Sequence, residues 1–292
     1  MTLAELLRDT ARRLRAARLN YGHGTTHARD EAAFLVVRGL GLPFDAASCM
    51  PVSAAGRRRV ARLLGRRIRE RLPVAYLLHE AWLDGEAFYV DRRVIIPRSH
   101  IAELLRDRLQ PWLTRPVRRA LDLCTGSGCL AVLAAKAFPG TRVDAADLSR
   151  AALAVARRNI TQHALRGRIR LVRSDLFDGL RGRRYDLIVS NPPYVTSSSM
   201  RALPPEHLHE PRMALAGGSD GLALVRRILE HAARHLEPGG LLVCEVGAGR
   251  KALERAYPQV PFTWPETSAQ AQEVFLLPRE DLPQREKREK LG

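Results

Sequence analysis

Asparagine, two prolines and a tyrosine stand in succession at Asn191-Pro192-Pro193-Tyr194, and these residue types can hold a planar NH₂ group. The prolines lack N–H donors and have φ fixed, so the carbonyls beside them are not absorbed into a helix and can face outward as acceptors. Asn191 adds a side-chain carbonyl and Tyr194 an aromatic wall. The run before them, Asp186-Leu187-Ile188-Val189-Ser190, is apolar and β-branched and reads as a buried parallel strand. Open α/β sheets place their ligand crevices at strand ends. A strand followed by an ordinary Pro-Pro turn has the same letters, so other residues must decide.

A second constellation lies upstream. Asp122-Leu123-Cys124-Thr125-Gly126-Ser127-Gly128 follows a short apolar strand. Its single G-x-G lacks the third glycine of the dinucleotide fingerprint, which a pyrophosphate would require. A smaller, zwitterionic ligand that approaches the backbone closely fits better. Asp147 closes the next strand, where an acid takes ribose hydroxyls in nucleotide sites. Asp175 follows the third strand, where it can meet an adenine amino group with Leu176 or Phe177 against the ring. A helix cap or a turn explains any one of these acids alone. Suitable chemistry at four successive strand ends is harder to ascribe to chance. Cys49, Cys124, Cys129 and Cys244 form no C-x-x-C pair and have no histidine at zinc-finger spacing, so neither a disulfide framework nor a structural metal is expected.

The elements that must position these residues alternate from Arg119 onward. Strands at 120–123, 143–147, 169–172, 186–190, 241–246, 261–264 and 273–277 are interleaved with helices at 130–138, 149–159, 222–236 and 251–257. That alternation is the signature of a doubly wound, mostly parallel sheet. A Ser- and Pro-rich loop follows the tyrosine through about Gly218, of a length often used for lids and binding segments. His207 and His209 lie in it and read as structural or solvated. Upstream, residues 1–75 read as helical: Leu3, Leu6, Leu7 and Leu14 share a face, Thr25 or Thr26 caps a second helix, and a third begins near Ser53. Val60, Leu63, Leu64, Ile68 and Leu72 stripe that third helix. Arg57, Arg58, Arg59, Arg62, Arg66, Arg67 and Arg69 occupy its other face, a solvated surface or a contact for RNA. Ala81-Trp82-Leu83 and Ala87-Phe88-Tyr89-Val90 flank a turn and read as a β-hairpin.

The 292 residues carry a net charge of +17, and only four of the 48 basic residues are lysine. Such a charge makes nucleic acid or a ribonucleoprotein a plausible neighbour, although an Arg-rich composition alone also produces it. No run of eighteen apolar residues appears, which argues against a membrane span, and the first residues have no secretory pattern. The expected location is the cytoplasm. The domain reading is a helical N-terminal substrate-recognition domain at 1–75, a hairpin linker at 76–98, a catalytic domain at 99–278 and a charged tail at 279–292.

Together these residues resemble the S-adenosylmethionine-dependent methyltransferases of the Rossmann-like class I. Asn191 to Tyr194 narrows the likeness to enzymes that methylate a planar amide or amino nitrogen. The wider pattern is similar to the protein-glutamine N(5)-methyltransferases, and within them to the branch acting on large-subunit ribosomal protein three. It is carried by His79-Glu80-Ala81-Trp82, Phe88-Tyr89-Val90-Asp91, Pro97-Arg98-Ser99, Leu121 to Cys129, Ser174-Asp175-Leu176-Phe177, Glu210-Pro211, Asp220-Gly221-Leu222 and Cys244-Glu245-Val246-Gly247. The sibling branch, which acts on peptide release factors, has Pro-Arg-Pro-Glu-Thr where this chain has Pro97-Arg98-Ser99-His100-Ile101. The resemblance implies a seven-stranded sheet with its last strand antiparallel, a small helical N-terminal domain and a hairpin linker. It implies S-adenosylmethionine as cofactor, held at its amino-acid end by Asp122 and the turn Cys124 to Gly128, at its ribose by Asp147, and at its adenine by Asp175 and Leu176. Asn191 adjoins the cofactor, and Asn191, Pro192, Pro193 and Tyr194 hold the substrate glutamine. Glutamine methylation of peptide release factors, amino-group methylation of a nucleic-acid base and a non-catalytic cofactor-binding ribosome-assembly factor remain as alternatives.

Overall fold

The computed structural model describes residues 1–267 and 272–283. By its internal contacts the chain divides into two compact units, one formed by 1–98 with 203–211 and the other by 99–202 with 212–292.

In the first unit, α1 (Leu3–Ala16) starts at a reciprocal capping box. The Thr2 hydroxyl accepts from Glu5 N, and the Glu5 carboxylate accepts from Thr2 N. His27, rather than Thr25 or Thr26, caps α2 (Ala28–Gly39), because its ring nitrogen accepts from Asp30 N at 3.3 Å. Thr25 instead donates to Glu31. Ser53 caps α3 (Ala54–Glu70), and Pro73 opens the short α4 (Val74–Leu78). Leu3, Leu14, Leu35, Val36, Val60 and Leu64 are buried within this bundle. The hairpin β1 (Ala81–Leu83) and β2 (Glu86–Phe88) turns through Asp84 and Gly85, both at positive φ, as a tight two-residue turn demands.

The arginine face of α3 needs one correction. Arg58, Arg59, Arg62, Arg66 and Arg69 are exposed, but Arg67 is fully buried. Its guanidinium pairs with Glu31 at 2.8 Å and Glu206 at 3.3 Å and donates to the Asn20 carbonyl. The stretch 203–211, expected as open loop, is thus pinned to the helices of its unit. Glu210 in it takes Arg98 on both oxygens at 2.8 Å and Ile96 N at 3.0 Å.

The second unit contains α5 (Ile101–Arg106), β3 (Arg119–Leu123), α6 (Cys129–Ala137), β4 (Arg142–Asp147), α7 (Arg150–Gln162), β5 (Ile169–Arg173), β6 (Tyr185–Ser190), α8 (Ser197–Arg201), α9 (Ala223–His235), β7 (Leu236–Glu245), α10 (Arg250–Ala256) and β8 (Val274–Pro278). The strands order as β5-β4-β3-β6-β7-β8, all parallel except β8, which runs antiparallel to β7. The α/β class is as expected, with six strands among the described residues instead of seven. Residues 261–264 make only an isolated bridge, Thr263 to Leu276, because Pro261 and Pro265 deny the segment the donors a longer ladder needs. β7 begins before Pro238-Gly239-Gly240, with a register irregularity between Tyr185 and Leu187 of its partner. Residues 279–281 of the expected charged tail form a single 3-10 turn, and 284–292 lie outside the described residues. Among the described residues no helix is long and apolar enough to cross a membrane.

Candidate active site

Register assembles the site. Leu123 pairs with Ala146 and Ser190, Ala146 with Val172, and Ser190 with Cys244, so these five residues form one row across five parallel strands. The next residue of each strand stands on the carboxyl rim: Cys124, Asp147, Arg173, Asn191 and Glu245. Ser190 Oγ donates to the Leu123 carbonyl at 3.0 Å and stitches the exit of β6 to the exit of β3.

The turn after β3 is tightly specified. Cys124, Gly126 and Gly128 all have positive φ. A Cβ on Gly126 would meet nothing nearer than the Cys124 carbonyl at 4.0 Å, so this face of the turn is bare backbone that a ligand can approach. A Cβ on Gly128 would lie 3.1 Å from the Ala156 methyl, so there the glycine serves close packing of the turn on α7. Asn159 on α7 is buried, and its side-chain amide donates to the Ser127 carbonyl at 2.8 Å. Gly126 N donates to Asp147 Oδ2 at 2.9 Å and Ser149 N to Oδ1 at 2.8 Å. Burial raises the Asp147 carboxyl in spite of these bonds.

Asp122 is buried beneath the turn. Its Oδ2 accepts from Thr125 Oγ1 and from Ala131 N, while Oδ1 has no partner among the described residues. Burial raises its pKa to about 7, with the two hydrogen bonds opposing. A buried carboxylate oxygen without a donor beside exposed backbone fits the cationic amino group of a zwitterion. On this test the residues present fit the amino-acid end of S-adenosylmethionine. Burial also raises the Cys124 thiol, so it is no nucleophile. Asp175 is partly exposed and pairs with Arg227 at 3.0 Å. Leu176 is buried in the apolar core, and Phe177 stacks on His235 with ring centroids 4.6 Å apart.

The exit of β6 is clamped from several directions. Asn191, Pro193 and Tyr194 are partly exposed and Pro192 is buried. Val195 pairs with Ala216 through Val195 N to the Leu215 carbonyl and Gly217 N to the Val195 carbonyl, both 2.8 Å. A Cβ on Gly217 would lie 2.6 Å from Tyr194 Cα, one on Gly221 2.4 Å from the Tyr194 carbonyl, and one on Gly247 2.6 Å from its ring. The Tyr194 hydroxyl donates to Glu245 Oε1 at 3.1 Å. Glu245 is itself buried, with its pKa raised by that burial, and its other oxygen accepts from the Ser99 hydroxyl at 2.6 Å and His100 N.

The family "MTS: Methyltransferase small domain" matches residues 102–251, which contain every one of these elements except Ser99 and His100. A relative from Bordetella pertussis, the ribosomal protein uL3 glutamine methyltransferase, is 51% identical over 96% of both chains. Relatives of the same name from Neisseria meningitidis serogroup B and Bradyrhizobium diazoefficiens are 50% and 46% identical, over 96% and 97% of this chain and 94% and 92% of their own. This chain is a member of the ribosomal protein uL3 glutamine methyltransferase family. It is a methyltransferase, and S-adenosylmethionine is its methyl donor. The release-factor, nucleic-acid and non-catalytic alternatives are not favoured by these relatives. Among solved structures, the hMettl16 catalytic domain in complex with the MAT2A 3′UTR hairpin 6 shares the fold alone, at 16% identity and TM-score 0.50 over 77% of this chain and 81% of that one.

Glu245, Asn159 and the three clamping glycines were not assigned roles from sequence. Asn159 could have been noticed as a polar residue on the otherwise apolar face of its helix, with Ala152, Val155, Ala156 and Ile160. Outside this site, His23, His207 and Glu210 in the first unit bring donor atoms within 4.8 Å of one another. Arg98 already occupies both oxygens of Glu210. Burial works to raise that carboxyl, but the bonds from His207 and Arg98, with His23 Nε2 close by at 3.7 Å, outweigh it and hold it far below the usual range. The cluster reads as a buried ionic tie.

Proposed function

We propose that this member of the family methylates the side-chain amide nitrogen of a glutamine in ribosomal protein uL3. An amide nitrogen is a poor nucleophile because its lone pair is delocalised into the carbonyl. Asn191 Oδ1 and the Pro192 carbonyl each accept one amide N–H, which fixes the amide plane and aims the nitrogen. Tyr194 packs on that plane and limits its rotation. Positioning of this kind lowers a barrier by roughly 7–11 kcal/mol when reactants are held in near-attack geometry. When bound, S-adenosylmethionine supplies an electrophilic methyl group on a sulfonium. Asp122 and the turn Cys124-Thr125-Gly126-Ser127-Gly128 hold its amino-acid end, Asp147 its ribose, Asp175 and Leu176 its adenine edge, with Asn191 adjoining. The proton lost from nitrogen passes to water, since Asn191 and Pro192 offer only acceptors.

The observation that carries this reading is the shared row, which sets Asn191 beside Cys124 on adjacent parallel strands. Residues 1–75 serve substrate recognition in this reading, with the hairpin as connector, and the exposed arginines of α3 contact rRNA in an assembling particle. The cytoplasm, where that assembly proceeds, is the site of action. The test is incubation with radiolabelled S-adenosylmethionine and an extract lacking the enzyme. Label in a single protein band of the size of uL3, lost when its target glutamine is replaced, supports the reading; label in RNA or in no species overturns it.

A further inference from the structure

The opposite rim of the sheet is built for a different ligand. A pocket of about 220 Å³ lies at the amino-terminal ends of β3, β4, β5 and β6 and is lined by Arg119, Arg142, Arg166, Arg168, Arg170 and Arg183. Five residues of β3 separate it from the turn at Cys124, about 17 Å at strand rise, so its occupant is not the methyl donor. Six guanidinium groups face a single carboxylate there. Asp144 takes Arg170 at 2.8 Å, Arg183 at 3.2 Å and the Tyr185 hydroxyl at 2.7 Å. Among the described residues the other four pair with no acid. Arg119 and Arg142 are exposed and directly adjacent in register on β3 and β4, a like-charge pairing that costs stability. Arg166 is steered by the Thr161 hydroxyl at 2.7 Å. Arg168 is locked by the Ala135, Phe138 and Thr141 carbonyls at the end of α6. Two of the cations are therefore pre-oriented by neutral partners, which leaves their charge uncompensated.

We propose that this pocket binds phosphate groups. Guanidinium forks match phosphate oxygens in geometry as well as charge. The volume is below the roughly 300–1,000 Å³ of pockets that enclose drug-sized ligands, so it takes a phosphate and leaves the rest of its carrier outside. The carrier is either a nucleic-acid backbone or a free polyphosphate.

The test compares the triple variant Arg119→Ser/Arg142→Ser/Arg166→Ser with a control, Arg234→Ser/Lys251→Ser/Arg255→Ser, which removes the same charge from exposed positions on α9 and α10 of the same unit. Two probes are used on the full chain: pyrophosphate by calorimetry, and a short single-stranded RNA by fluorescence anisotropy over a salt series. The pocket variant is expected to lose about tenfold or more in affinity for at least one probe, while the control loses far less. If RNA engages the pocket, the slope of log K against log salt falls by about 2, some 0.7 for each lost phosphate contact. Loss for RNA alone assigns a polymeric ligand, and loss for pyrophosphate as well assigns an isolated phosphate group. Binding of neither probe by the unmodified chain, unchanged affinities in the pocket variant, or an equal loss in the control each overturn the site. Methyl transfer, measured in parallel, is expected to stay near the unmodified value, and thermal stability to hold or rise, since the Arg119–Arg142 repulsion is removed.

Discussion

Asn191 and Asp147 stand on the same rim but at the ends of different strands, and the roles proposed for them differ accordingly. Asp147 carries the turn through Gly126 N and α7 through Ser149 N, so Asp147→Ala loosens the cofactor site. Calorimetry should show at least a tenfold loss of S-adenosylmethionine affinity. Asn191→Ala keeps both of those bonds and removes the proposed amide acceptor. Transfer should fall about a hundredfold or more, as a misplaced reactant implies, with cofactor affinity nearly unchanged; the reverse pattern would refute both assignments. Asp122 adds a pH dependence. Its folded pKa lies near 7, above the ordinary aspartate value. Its contribution to stability of the unliganded protein is therefore complete below about pH 4, declines as pH rises, and is gone above about pH 7. A cationic amino group at Oδ1 prefers the ionised carboxylate, so cofactor affinity should rise between about pH 5.5 and about pH 7. Asp122→Asn should flatten that rise, and a variant retaining it would remove Asp122 from the site.

Elements show why part of the site was legible in sequence and part was not. The strand, the Pro-Pro exit, the glycine turn and the acids at strand ends are local patterns, and the parallel register then aligns them without further instruction. The clamp on Tyr194 is not local. Gly217 and Gly221 arrive from the loop before α9, Gly247 and Glu245 from the end of β7, and Ser99 from the start of the second unit. Nothing in the spacing of those letters announces that they converge. The Pro261–Trp264 segment misled for the converse reason: its apolar residues satisfy a strand pattern, but its flanking prolines restrict the ladder to one bridge. Gly221→Ala tests the clamp. Its φ of +81° lies in the left-handed region, which costs a side chain about 1–2 kcal/mol, and the added methyl would sit 2.4 Å from the Tyr194 carbonyl. Backbone must yield, so transfer should drop by more than the modest fall in Tm would suggest. A variant with full kcat would show that Tyr194 tolerates displacement.

At the scale of the whole molecule, charge reveals least when read by residue type alone. The arginine run of α3 looks uniform, yet Arg67 points into the first unit and is enclosed by Glu31, Glu206 and the Asn20 carbonyl. This tie joins α2 and α3 to the 203–211 segment, which the chain contributes after leaving the second unit at 202 and before re-entering it at 212. If Arg67 were one more solvated cation, Arg67→Met would change stability by no more than about 0.5 kcal/mol, the usual range for surface sites. Buried as it is, its loss takes the guanidinium from Glu31 and leaves Glu206 with Arg71 at 3.3 Å and Asn20 N at 3.0 Å, and should cost roughly 3–5 kcal/mol. Burial already raises the Glu31 carboxyl even with Arg67 beside it. Without the guanidinium it takes up a proton more readily still, so the deficit should be smaller at low pH than at neutral pH. Arg67→Met/Glu31→Gln/Glu206→Gln removes all three buried charges and should recover much of the loss, because the one ion that loses its partner, Arg71, is partly exposed to solvent. Denaturant unfolding of the three proteins at two pH values decides the matter. A pH-independent deficit, with no recovery in the triple variant, would mean that Arg67 acts through its packing volume and not through the ionic tie.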